Sequence, residues 1–114
     1  PIIRIPRPPR PTFTKAKLSS ETELRREMRE WVQDFEVEGP FDEDVAALAK
    51  YLRDVVVLER NTGKAVGIVR WLEWVVGCLN DDGARAGWDG AVKKVKDGVN
   101  EGARERGLGR VDFD

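Results

Sequence analysis

The chain has no histidine and a single cysteine, Cys78, in 114 residues. Those absences remove His-centred catalytic triads, Cys/His zinc sites and any intramolecular disulfide, and a chain of this kind is expected in a reducing compartment. No apolar run approaches the ~18 residues that a membrane-spanning helix needs, and nothing at the start is laid out as a signal peptide, so no membrane partner is expected. Aromatic residues are scarce, at 8%, and proline is nearly missing from the body: five of the six fall in the first eleven residues. Net charge is also missing. Twenty Lys plus Arg against 21 Asp plus Glu leave −1, which argues against direct nucleic-acid binding by the body and against a disordered acidic or basic tail protein. With 40% hydrophobic and 36% charged residues, the length suits one modest core. The chain begins at Pro1 without a Met, as a domain cut from a longer protein is expected to begin.

Pro1, Pro6, Pro8, Pro9 and Pro11 interleave with Arg4, Arg7 and Arg10. Proline has no N–H to give to a helix, so residues 1–19 are expected to form an extended arm. Residues 1–20 hold five bases and no acid, a charge of +5, while the remainder holds 15 bases and 21 acids, a charge of −6. Opposite signs suit an arm that lies partly back on the body. The other reading is a basic arm that contacts phosphate, which would make the chain a nucleic-acid-binding accessory domain. An SH3 ligand fits poorly, because Ile3, Ile5, Pro11 and Phe13 stand where flanking bases would help.

Residues 20–106 read as four amphipathic helices. Ser20 and Glu23 form a capping box ahead of Leu24, Met28, Trp31, Val32 and Phe35, an apolar stripe running to about residue 36. Gly39-Pro40 ends it. Phe41 is then a hydrophobic staple, Asp42 an N-cap, and the next carboxylates suit the positive end of a helix running to about Arg60 on Val45, Leu48, Leu52, Val55 and Val56. Asn61-Thr62-Gly63 reads as a break. From Lys64 to about Leu79 the inner stripe is Ala65, Ile68, Val69, Leu72, Val75, Val76 and Leu79, and a second line, Gly67, Trp71, Trp74 and Cys78, is assigned to the core ahead of an interface. Asn80-Asp81-Asp82-Gly83 breaks the chain again. The fourth helix, about 84–104, presents Trp88, Ala91, Val92, Val95, Val99 and Ala103, and its Gly90, Gly98 and Gly102 weaken it by ~1 kcal/mol each unless they permit close backbone approach. Residues 107–114 read as an extended tail with Val111 and Phe113 on one side. Short connections predict an all-α fold, a compact antiparallel four-helix bundle.

Fragments that resemble active-site motifs each lack a required partner. Gly63-Lys64 has Leu58 and Ala65 where a phosphate loop needs Gly and Ser or Thr. Gly107-Leu-Gly109 has no following helix to hold a pyrophosphate, and Asn80-Asp81-Asp82-Gly83 lacks the ligand spacing of a calcium loop. Asp42, Glu43 and Asp44 stand where capping predicts carboxylates, and Cys78 reads as a small buried hydrophobe with no neighbouring base. No enzyme, metal or cofactor is expected. What remains is charge: Glu21 to Asp44 hold ten acids against three bases, a local −7 that would attract a basic partner. A Trp beside such acids is either an interface anchor or a core residue under a solvated face.

Taken together, Met28-Arg-Glu-Trp31, Asp42-Glu-Asp-Val45, Lys50-Tyr51, Asp54, Trp88-x-x-Ala91 and Asp97-x-Val99 form a spaced pattern. It resembles the C-terminal domain of Rev-one, the Y-family deoxycytidyl transferase of translesion DNA synthesis, over residues 22–109 with nearly gapless spacing. The resemblance implies a non-catalytic nuclear scaffold that brings other translesion polymerases to damaged DNA. It implies one surface for helical peptides with adjacent Phe residues, carried by inserter polymerases. By position that surface comprises Leu24, Met28, Trp31, Asp44 and Leu48, with Glu30 on its rim and Phe13 and Leu18 as lid residues. It also implies a second surface for the HORMA accessory subunit of polymerase zeta, at Asn61 and Thr62 in the helix 2–3 connection and at Leu108, Val111 and Phe113 in the tail. Polar residues in that connection, Leu108 where a Tyr is usual, Trp71 and Trp74 all depart from the animal form and point to a diverged, fungal member.

Overall fold

Stretches with apolar residues three and four apart become four α-helices in the computed structural model, which describes residues 21–113. They are α1 (Glu21–Asp34), α2 (Asp42–Val57), α3 (Thr62–Gly77) and α4 (Asp82–Glu105), with no strand among the described residues. Every residue of the expected apolar stripes is buried, and Tyr51, outside them, joins the core at 8% exposure.

The helix ends follow local chemistry. After α1, Gly39 donates to the Phe35 carbonyl at 2.9 Å and takes a left-handed φ of 76°, and Pro40 then forbids further helix. Phe41, not Asp42, is the N-cap of α2: the amides of Asp44 and Val45 both donate to the Phe41 carbonyl, and no side chain caps this end. Asp42, Glu43 and Asp44 instead occupy the first turn, at the positive end of the helix dipole. Helix α2 stops at Val57, short of Arg60, because Arg60 turns left-handed (φ 54°) and Asn61 N donates back to the Val55 carbonyl. The expected break at Asn61-Thr62-Gly63 is narrower than its composition suggests. Asn61 Oδ1 accepts from Lys64 N at 3.1 Å, so Asn61 is the N-cap and Thr62 already begins α3. Asp81 does the same for α4, accepting from Gly83 N (2.8 Å) and Ala84 N (3.1 Å), and the helix starts at Asp82, two residues before the expected position.

Packing explains the glycines of α4. A Cβ at Gly98 would come within 3.1 Å of Ala49 Cβ, and one at Gly102 would fall into the aliphatic stem of Arg53. Both pairs advance by four residues together, so α2 and α4 run parallel and close. Gly90 has nothing within 4 Å and makes no such approach. Helix α3 is central, packing on each of the other three helices. Helix α1 approaches only α3 closely; no Cα of α1 lies within 8 Å of one in α2 or α4. Large side chains fill that wider seam. The Trp31 and Trp88 rings meet edge to face at 4.9 Å, and Trp88 Nε1 donates to the Phe35 carbonyl at 3.1 Å.

Candidate interaction surfaces

The first expected surface draws Leu24, Met28 and Trp31 from α1 and Asp44 and Leu48 from α2. All five are buried: Trp31 is 1% exposed, and Asp44, at 5%, is the one buried charged residue among those described. Glu30 is exposed. The apolar members therefore belong to the common core of the helices, and Asp44 stands in the first turn of α2. Helical spacing divides the charges of α1. Glu23, Glu27, Glu30 and Asp34 follow each other at four, three and four residues along one side, and Arg25, Arg26 and Arg29 lie on the other. Phe13, Leu18, the Ser20 cap and the arm fall outside the described residues.

The second expected surface lies at one end of the bundle. Because α2 and α4 run parallel, the turn after α2 and the tail after α4 leave from the same end. Asn61 and Thr62 are exposed there, with Lys64 Nζ 3.7 Å from Glu59 Oε1 across the turn. The tail turns at Gly107 (φ 74°), where Leu108 N donates to the Ala103 carbonyl at 2.9 Å, and it runs back along α4 as Val111 N donates to Asn100 Oδ1 at 2.6 Å. Val111 and Phe113 are buried while Asp112 between them is exposed, and Leu108 is half-buried. A groove of about 510 Å³ between tail and helix is lined by Asp97, Asn100, Glu101, Arg104, Leu108 and Arg110. Asp97 enters the sequence pattern only as a motif position and the other polar residues not at all, since only a tail folded back on α4 brings them beside Leu108.

The outer line of α3 departs from expectation. Trp74 is 59% exposed, Cys78 is exposed and Trp71 is half-buried, so this line is not core. The opposite side of α3 already fills the interior with Ala65, Ile68, Val69, Leu72, Val75 and Val76. Trp71 is held by its polar edge, donating from Nε1 to the Arg25 carbonyl at 3.0 Å, and Trp74 stacks on it at 5.1 Å and 24°. Among the described residues no group of His, Cys, Asp and Glu could hold a metal, and no helix is long and apolar enough to cross a membrane.

The family described as the DNA repair protein REV1 C-terminal domain matches residues 23–111 of the 114. No curated protein and no solved structure matches the chain.

Proposed function

Since the chain belongs to the REV1 C-terminal domain family, a family of non-catalytic interaction domains in the translesion branch of DNA repair, we propose that it is a nuclear scaffold with two partner surfaces. One takes a helical peptide with adjacent Phe residues from an inserter polymerase. The other takes the HORMA accessory subunit of polymerase zeta. The observation that carries the first assignment is Asp44, a buried carboxylate in the first turn of α2, a helix whose backbone α1 does not approach closely. A helical peptide presents first-turn amides that lack intrahelical partners, and a carboxylate facing them supplies acceptors at the positive end of the dipole. Leu24, Met28, Trp31 and Leu48 form the buried apolar floor beneath this surface, which the Phe rings reach only by displacing what covers it, and Glu30 forms the acidic rim. The second assignment draws support from Asn61, Thr62 and the folded-back tail sharing one end of the bundle.

Calorimetric titration with each partner tests this. Asp44→Asn is expected to weaken peptide binding by ~1–3 kcal/mol, the range for a desolvated hydrogen bond to charge, and to leave the accessory subunit's affinity unchanged. Thr62→Glu is expected to do the reverse. An acid at the first position of α3 suits its dipole, so folding is retained while the exposed surface changes. A folded chain that binds neither partner would show that the bundle has outlived the function proposed for it.

A further inference from the structure

Trp74 presents more than half of its surface to solvent in the last turn of α3, at 59% exposure. It is the outer member of a stack. Its ring lies 5.1 Å from that of Trp71 at an interplanar angle of 24°, and the Arg25 guanidinium carbon lies 5.5 Å from the Trp71 ring. Trp71 thus contacts both the Arg25 guanidinium and the exposed Trp74 ring. Trp71 packs against the edge of the core, but Trp74 lies outside it, because the opposite side of α3 is the buried one.

The charge around the stack is mainly positive. Arg70 is exposed one turn before Trp74, and Arg29 is exposed one turn after Arg25 on the side of α1 that meets Trp71. Helix α3 contains one acid, Glu73, and its Oε2 accepts from Lys96 Nζ at 3.3 Å on α4. Beyond α3, Asp81 caps α4 and Asp82 pairs with Arg85. The balanced net charge of the chain therefore hides a local division. Glu23, Glu27, Glu30 and Asp34 of α1 line the side away from the tryptophans, and Arg25 and Arg29 line the side beside them.

We propose that this face of α3, built from Trp71 and Trp74 with Arg25, Arg29 and Arg70 around them, binds single-stranded nucleic acid. An unpaired base stacks on the open Trp74 ring, and the phosphates on either side meet the arginines. A single strand alternates flat rings with single negative charges, the complement of an indole flanked by guanidinium groups. A duplex hides its base faces and offers only phosphate. An acidic peptide meets the arginines but presents a ring only where its sequence happens to supply one. The proposal stands apart from the two partner surfaces, since it uses the outer face of α3 and none of the residues assigned to them.

The test is titration of the full chain at low salt with an oligothymidylate of about twelve nucleotides, within the span of one such site. Trp31 and Trp88 are buried, so quenching of indole emission reports on Trp71 and Trp74. Binding is expected to quench that emission and to fall roughly tenfold in Trp74→Ala, or when an abasic strand of equal length replaces the oligomer. Arg70→Glu is expected to weaken binding and make its salt dependence shallower. Trp74 is exposed, and urea denaturation of each variant separates lost binding from lost folding. The proposal is overturned if no quenching occurs, if Trp74→Ala binds as the parent does, or if polyglutamate competes as well as the oligomer. Loss on replacing Arg4, Arg7 and Arg10 with Gln, with Trp74→Ala unaffected, would assign the binding to the basic arm instead. Self-association that disappears in Trp74→Ala would assign the face to a second copy of the chain.

Discussion

Trp31 and Trp74 carry the same side chain in opposite surroundings. Trp31 is 1% exposed and meets Trp88 edge to face, while Trp74 is 59% exposed and stacks on Trp71. Removing the first leaves a cavity in packed interior; removing the second uncovers one ring. Trp31→Ala is therefore expected to cost ~3–5 kcal/mol of folding stability and Trp74→Ala no more than ~0.5 kcal/mol, read as the shift in urea midpoint at constant slope. The difference bears on how binding is probed. A family-based reading picks Trp31 as the residue to mutate in a peptide-binding pocket, yet its loss would confound binding with unfolding, whereas Asp44→Asn alters one carboxylate without emptying the core.

At the scale of the helix, α4 separates two kinds of glycine that look alike in sequence. Gly98 sits where a Cβ would come within 3.1 Å of Ala49 Cβ, and Gly90 faces open space. Gly90→Ala is expected to stabilise the protein by ~0.5–1 kcal/mol through helix propensity alone. Gly98→Ala gains the same propensity but presses two backbones apart, and it is expected to leave stability unchanged or lower it; thermal unfolding of the two variants decides. The same contrast shows what was legible in the sequence. All four apolar stripes could be read from spacing, because burying them is what makes each helix stable. Helix starts at Thr62 and Asp82 were not, because Asn61 and Asp81 look like loop residues until their side chains are seen to cap. The outer line of α3 was misread for a further reason. Spacing says that Trp71, Trp74 and Cys78 share a face, and only the crowding of the opposite face says that this one is left outside.

At the scale of the molecule, the two proposed partner surfaces are separated by the length of one helix. Asp44 stands in the first turn of α2 and Asn61 just past its end. At ~1.5 Å per residue the distance between them along α2 is roughly 20–25 Å. Nothing observed between them offers two alternative packings. Helices α2 and α4 lie close and parallel, with Gly98 against Ala49 and Gly102 under Arg53, and a small shift at one end has no second arrangement to settle into. Coupling between distant sites requires such a two-state element biased by both ligands. Occupation of one surface should therefore leave the other nearly unchanged. With the accessory subunit at saturation, titration of the Phe-Phe peptide is expected to return its affinity for the free chain within about twofold, a coupling below ~0.5 kcal/mol. Competition would mean that the two partners overlap and the scaffold exchanges them. A strong increase in affinity would mean that the seam between α1 and α2 and the end of the bundle move together, and would locate the switch in α3, the helix that packs on all the others.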